Sequence, residues 1–112
     1  FAHPVWFDID ENKTLNGREA REFKDERHIC PLQLDTINRC LRLWSNKGDL
    51  VCDPFSGIGS TGYEAIKLGR KYLGLELKES YHKAAVTNLR QAEQESGDLP
   101  LFSLQLEEAE SA

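Results

Sequence analysis

The sequence predicts an α/β fold with two to three mostly parallel strands and flanking helices. Two short apolar runs, Leu50–Cys52 and Lys71–Leu75, have the length of buried strands, and stretches of helical period surround them. Glycines at positions 57, 59 and 62 follow the first run, where a backbone can turn tightly and approach a ligand. Strand, glycine loop, helix and second strand is the order of a nucleotide-binding βαβ unit.

Composition limits the possible functions. A chain of 112 residues with 29% charged residues and a mean hydropathy of −0.55 can bury only one small core. The formal charge of −5 argues against a principal DNA-binding surface, which needs clustered lysine and arginine. Cys30, Cys40 and Cys52 lack a zinc-type spacing, so a reduced cytoplasmic setting is expected, and no apolar run approaches a membrane span.

The residues that flank the glycine loop indicate which class of cofactor it binds. Asp53-Pro54-Phe55-Ser56 separates the strand from Gly57, whereas a nicotinamide-binding strand usually runs directly into its first glycine. This loop resembles the cofactor loop of the S-adenosylmethionine-dependent DNA amino-methyltransferases, which modify adenine N6 or cytosine N4. The segments from Glu26 to Leu34 and from Gly69 to Leu77 resemble the family's sequence before the loop and its second strand. The resemblance implies a partial Rossmann-like methyltransferase fold.

The resemblance also implies which residues bind S-adenosylmethionine. Glu76, at the end of the second strand, would accept hydrogen bonds from both ribose hydroxyls. Asp53 would accept from the cofactor's amino group, or act only through water or by bracing the loop, and Phe55 would form a wall against the cofactor. The full expected set is His28, Pro31, Gln33, Asp53, Pro54, Phe55, Ser56, Gly57, Gly59, Ser60, Thr61 and Glu76. His28 could instead only cap the helix or form a local hydrogen bond, and no metal site is expected.

The catalytic motif of this family is absent from the sequence. Amino-methyltransferases hold the target amino group with an Asp/Asn/Ser-Pro-Pro-aromatic tetrapeptide, but all four prolines here are isolated. We therefore expect the chain to be the C-terminal piece of a longer enzyme with the permuted, beta-class motif order, and to be inactive alone. The alternatives are a nonenzymatic S-adenosylmethionine-binding or DNA-associated module and a nicotinamide-binding Rossmann domain. A Pro-Pro-aromatic motif upstream of Phe1 would identify the enzyme.

We expect three regions along the chain. Residues 1–27 form an irregular lead-in with a short strand near Val5 to Ile9, residues 28–95 form the cofactor-binding part, and residues 96–112 form an acidic, flexible tail. The lead-in's alternating charges predict a solvated face, or a DNA-backbone contact by Arg18, Arg21 or Arg27.

Three helices are expected in the cofactor-binding part. Pro31 fits the first turn of a helix whose apolar face comprises Leu34, Ile37, Leu41 and Trp44. A second helix spans Thr61 to Leu68, and a third runs from Lys78 to about Gln94. The third carries Tyr81, Ala85, Leu89 and Ala92 on one side, which predicts a cover for the sheet.

The expected macromolecular partners follow from the same interpretation. Double-stranded DNA would bind the intact enzyme, and an uncovered sheet could support a homodimer. Asp98 to Phe102 resembles the peptide by which bacterial proteins dock on the replication sliding clamp, with Leu99, Leu101 and Phe102 as the apolar positions. Leu101 and Phe102 could instead fold back on the last helix or the sheet edge. No membrane partner is expected.

Overall fold

The computed structural model describes residues 3–15 and 30–97 and contains five regular elements. In chain order they are α1 (Leu34–Trp44), β1 (Leu50–Asp53), α2 (Ser60–Lys67), β2 (Lys71–Gly74) and α3 (Glu79–Ser96). The two strands pair in parallel, with Leu50 opposite Lys71 and Asp53 opposite Gly74. Helix α2 connects them as a βαβ crossover, so the predicted α/β architecture is present in these residues.

The core surrounds α2, which packs against α1, α3 and one face of the sheet. Its buried members are Leu34, Ile37, Leu41, Tyr63, Ala65 and Ala92, with Val51 and Tyr72 of the strands packed against them. Gly62 permits the close approach of α2, because a Cβ there would lie 2.5 Å from Leu89 and from Tyr72. The opposite sheet face is exposed at Leu50 and Leu73, although parallel sheets are normally covered on both faces.

Two expectations about α1 are wrong. Pro31 does not lie in the first turn, because the helix begins at Leu34. The Leu34 N–H is instead hydrogen-bonded to the carbonyl of Lys13, at 2.9 Å. Trp44 has the helical spacing of a core residue but is 76% exposed, since it is the last residue of α1 and extends beyond the buried cluster.

The other element bounds agree with expectation to within one or two residues. Gly69, with a φ of +79°, follows α2, and Gly97, with a φ of +73°, is the C-cap of α3. A left-handed glycine commonly ends a helix in this way. The predicted sides of α3 are also present, because Ala85 and Ala92 are buried.

Residues 3–15 contain no strand, so the short strand expected near Val5 to Ile9 is wrong. This segment is held in place by side-chain contacts with α1 and not by the backbone hydrogen bonds of a strand. Asp8 accepts two hydrogen bonds from Arg39, at 2.8 and 2.7 Å, and Lys13 pairs with Asp35 at 2.8 Å. The predicted solvated face, the alternative DNA-backbone contact by Arg18, Arg21 or Arg27, and the predictions for the tail beyond Gly97 lie outside the described residues.

Arg70 joins the ends of two helices. Its guanidinium donates to the Ser45 hydroxyl and the Ser45 carbonyl, both at 3.0 Å, and to the Leu68 carbonyl at 2.8 Å. A longer contact, at 3.4 Å, reaches the Leu41 carbonyl. The Ser45 and Leu68 carbonyls belong to the C-cap residues of α1 and α2, where carbonyls lack partners within the helix. Arg70 therefore caps both helices from the position just before β2.

Candidate functional site

The glycine-rich loop lies at the carboxyl ends of the two parallel strands. Residues 54–59 connect β1 to α2, and their first part continues the strand pairing. The Leu75 N–H donates to the Asp53 carbonyl at 2.9 Å, and the Ser56 N–H donates to the Leu75 carbonyl at 2.9 Å. Ligands of open α/β sheets bind at this edge. The same two bonds bring Glu76, the next residue after Leu75, beside the loop.

The two candidate carboxylates have different surroundings. Asp53 Oδ1 accepts a hydrogen bond from the Phe55 N–H at 2.9 Å, so this side chain braces the turn of its own loop. Glu76 Oε2 accepts from the Leu77 N–H at 3.1 Å. Within residues 3–15 and 30–97, Glu76 Oε1 makes no hydrogen bond, and the side chain is only half-buried. Glu76 thus retains acceptor capacity for a ligand at the loop edge.

Phe55 lies exposed at the surface of the loop. Its side chain is 87% exposed, and Pro54 beside it is exposed as well. The next residue points the other way, because the Ser56 hydroxyl lies 2.8 Å from the Tyr72 hydroxyl of β2. Ser56 therefore fastens the loop to the sheet, while Phe55 presents an aromatic surface to solvent.

Gly57 and Gly59 adopt left-handed conformations, with φ of +57° and +89°. An L side chain is strained in this region of backbone space. A Cβ at Gly57 would meet no atom within 4 Å, so open space borders the backbone there. A Cβ at Gly59 would lie 3.2 Å from Ala85 Cβ, because α3 packs against this point. Gly57 therefore allows the backbone to turn, and Gly59 allows α3 to pack closely against the loop.

The start of α2 has unpaired backbone donors. Gly59 is its N-cap without a side-chain cap, and the Tyr63 N–H makes the bond to the Gly59 carbonyl, at 2.8 Å. In the part of the chain that the structure describes, the N–H groups of Ser60 and Thr61 have no hydrogen-bond partner. Uncapped donors and the helix dipole together favour an anionic group.

The residues expected ahead of α1 are less closely linked to this loop. His28 lies outside the described residues. Pro31 and Gln33 are half-buried in the segment that enters α1, and Gln33 is its N-cap without a side-chain cap hydrogen bond. Among the described residues no hydrogen bond joins either of them to the loop. Their role in a common site stays a prediction.

Sequence reasoning missed the residues that hold the loop in place. Tyr72 bonds Ser56, as described above, and the Asn88 side-chain amide of α3 donates to the Ile58 carbonyl at 2.8 Å. Asn88 lies between the buried residues Ala85 and Ala92, on the side of α3 that packs inward. A polar residue among these apolar positions is a signal that the sequence contains.

A cavity of about 660 Å³ lies elsewhere, lined by residues 3–8 and Arg39. Its walls contain the ion pair of Asp8 with Arg39, and the guanidinium lies 5.4 Å from the Trp6 ring centroid. None of the glycine-loop residues lines it. The candidate site is therefore the open strand edge, where the donors and acceptors converge, and not this cavity.

Comparison with known proteins decides the family. The family described as DNA methylase, of the N6/N4 methyltransferases, matches residues 3–87. The chain belongs to the N6/N4 DNA methylase family. The match includes the glycine loop, Glu76 and the segment that carries Pro31 and Gln33, so the resemblance inferred from these motifs is confirmed.

Individual relatives agree with this assignment. The chain is 42% identical over 91 residues to the type II methyltransferase M1.MboII of Moraxella bovis, which covers 80% of this chain and 34% of that protein. It is 39% identical over 72 residues to the DNA adenine methyltransferase YhdJ of Escherichia coli K12, covering 62% of this chain and 24% of that protein. The chain thus spans about a third or less of these relatives.

A solved structure supports the fold. The structure of TTHA0409 from Thermus thermophilus, complexed with S-adenosyl-L-methionine, matches with a TM-score of 0.53 and 32% identity. The match covers 68% of this chain and 36% of that protein. The predicted fold class, a partial Rossmann-like methyltransferase fold, is confirmed. Among the described residues no helix is long and apolar enough to cross a bilayer.

Proposed function

We propose that the full-length protein is a DNA methyltransferase that transfers a methyl group from S-adenosylmethionine to adenine N6 or cytosine N4. In this proposal the chain supplies the cofactor pocket, and the catalytic Pro-Pro-aromatic motif lies in another part of the protein. The proposal rests on the hydrogen bonds at the carboxyl ends of the two strands. They place Glu76 beside the loop whose glycines have left-handed backbone conformations.

The residues at this edge fit S-adenosylmethionine. The open space at Gly57 leaves room for a ligand against the backbone, in the place that a Cβ would occupy. The uncapped start of α2 suits the carboxylate of the methionine portion. Glu76 Oε1 is available to the ribose hydroxyls, and exposed Phe55 offers an aromatic wall. The binding of S-adenosylmethionine would thus use the anion site at the start of α2, the Glu76 carboxylate and the exposed Phe55 ring.

In the proposed reaction the site residues of this chain bind the cofactor or orient the loop. When bound, S-adenosylmethionine supplies a methyl group activated by a sulfonium. Asp53 holds the loop turn through the Phe55 N–H, and Ser56 fixes the same turn to Tyr72. We assign no nucleophile to this chain, because an exocyclic amino nitrogen is itself the nucleophile. The target base has to leave the duplex to reach the methyl group, as in other base-modifying enzymes.

A methylation assay tests the proposal. The full-length protein is incubated with methyl-labelled S-adenosylmethionine and mixed-sequence DNA, and the DNA is digested to nucleosides for analysis. We expect label in N6-methyladenine or N4-methylcytosine. Cofactor binding without transfer to any DNA would favour the nonenzymatic module, and binding of a nicotinamide dinucleotide instead would favour the third interpretation.

The remaining partner assignments belong to the same proposal. Association with DNA follows from membership of a DNA methylase family, and we further propose a cytoplasmic setting within a restriction–modification system. The exposed face at Leu50 and Leu73 supports a homodimer. Sliding-clamp docking through Leu99, Leu101 and Phe102 is tested by fluorescence titration of a peptide covering Gln94 to Leu106 with a bacterial clamp. No binding at high micromolar clamp would refute it.

A further inference from the structure

The second half of the glycine loop lies directly on helix α3. The Asn88 side-chain amide donates to the Ile58 carbonyl at 2.8 Å, thirty residues away in sequence. One turn earlier on the same helix, Ala85 lies against Gly59, within 3.2 Å of the position of a Cβ there. The Ile58 side chain is only 5% exposed, so this residue is anchored by its side chain and by its carbonyl.

The peptide between Ile58 and Gly59 is followed by a glycine, whose backbone sterics restrict less than that of other residues. This peptide plane turns over when the ψ of Ile58 and the φ of Gly59 change together, and glycine accepts a φ of either sign in place of the present +89°. Turning over would exchange the directions of the Ile58 carbonyl and the Gly59 N–H. The carbonyl would then leave Asn88, and the bond from the Gly59 N–H to the Ser56 carbonyl, 3.0 Å long, would break.

The direction of this peptide matters because it immediately precedes the uncapped start of α2. The unpaired N–H groups of Ser60 and Thr61 present positive partial charge. A carbonyl oxygen turned away from α3 would weaken that field for an anionic ligand. The hydrogen bond from Asn88 opposes this conformation, since it stabilises the carbonyl in the direction of the helix.

We propose that Asn88 is a positioning residue for the cofactor loop, which holds the peptide of Ile58 and Gly59 in the conformation that binds S-adenosylmethionine. The inference rests on the proposed function and deepens it. Asn88 acts through the loop backbone and has no contact with the cofactor in this account. Its effect is on the ligand affinity of the folded protein, beyond any effect on folding.

The test uses the full-length protein and three variants. Asn88→Ala removes the amide donor, and Asn88→Asp keeps the shape but replaces the donor with a second acceptor facing the carbonyl. Gln91→Ala is the control, because Gln91 is an exposed amide one turn along the same helix that bonds only to Glu95 among the described residues. Affinity for S-adenosylmethionine is measured by calorimetry, and the urea midpoint and the KM for DNA are measured in parallel.

We expect about a tenfold weaker affinity for S-adenosylmethionine in Asn88→Ala, the loss of one net hydrogen bond, and at least as much in Asn88→Asp. The KM for DNA should change less than twofold, and Gln91→Ala should match the wild type. If the wild type binds and both Asn88 variants bind within twofold of it, the inference is overturned, whatever their urea midpoints. A wild type that does not bind S-adenosylmethionine would overturn the proposed function itself.

Discussion

Replacing Arg70 by methionine tests how the domain is held together. Methionine keeps the apolar stem of the side chain but removes the guanidinium, which makes three hydrogen bonds of 3.0 Å or less and one of 3.4 Å. Its acceptors lie at the C-terminal ends of α1 and α2, so both helices lose a cap and a favourable charge.

The expected loss follows from the three short bonds. A hydrogen bond from a charged group contributes about 1.5–3 kcal/mol when buried. Because Arg70 is half-buried, water can reach part of the freed carbonyls, and about 1 kcal/mol for each short bond is the appropriate value. We therefore expect Arg70→Met to lower the free energy of unfolding by about 3 kcal/mol, and Arg70→Lys by less, since a single ammonium cannot reach all the acceptors.

Urea unfolding followed by circular dichroism measures this loss in the full-length protein. Arg42→Met is the matched control, because Arg42 is an exposed arginine in the last turn of α1 and has no hydrogen-bond partner among the described residues. We expect it to lower the free energy of unfolding by about 0.5 kcal/mol through the helix dipole. An effect of Arg70→Met no larger than this would refute the double cap.

Three further predictions concern the loop, the leading segment and the isolated chain. Gly57→Val should abolish S-adenosylmethionine binding, measured by calorimetry, whereas Gly48→Val should not, although both positions have positive φ and open space; equal binding by both variants would contradict the loop assignment. The Arg39 guanidinium lowers the Asp8 pKa to about 2 from its ordinary 3.8. The ion pair therefore contributes to stability above about pH 4 and is lost as the pH falls through 2. In an NMR titration Arg39→Gln should return that pKa towards 3.8, and an unchanged value would exclude this cause. Finally, the chain alone should transfer no methyl group to mixed-sequence DNA, and label above background would show that it carries the catalytic residues.

Most of the fold could be predicted because its signals are local. The apolar period of Leu34, Ile37 and Leu41 and the glycine after α2 each depend on near neighbours in sequence. Trp44 has the same period but lies at the end of α1, and the position of a helix end relative to the core is a tertiary property. The strand expected near Val5 is absent for a similar reason, because charged side chains of that segment pair with charged side chains of α1.

In the candidate site, too, some features depend on the local sequence and others depend on tertiary packing. The glycine loop and Glu76 are recognisable in sequence, because their spacing reflects a backbone turn and a strand end. The residues that brace the loop are not, since Asn88 lies 30 positions from Ile58 and Tyr72 lies 16 positions from Ser56. Contacts over such separations depend on how α3 and β2 pack, which no local pattern specifies.

The central claim is that Glu76 and the glycine loop together bind S-adenosylmethionine. Calorimetric titration of the full-length protein, of Glu76→Ala and of Glu79→Ala tests it most directly. Glu79 is the matched control, because it is an exposed glutamate three residues later whose partner is Lys83. We expect Glu76→Ala to weaken binding by about 1–3 kcal/mol, the cost of leaving polar groups unpaired, and Glu79→Ala to bind like the wild type. Equal affinities in all three proteins would remove Glu76 from the site and contradict the account.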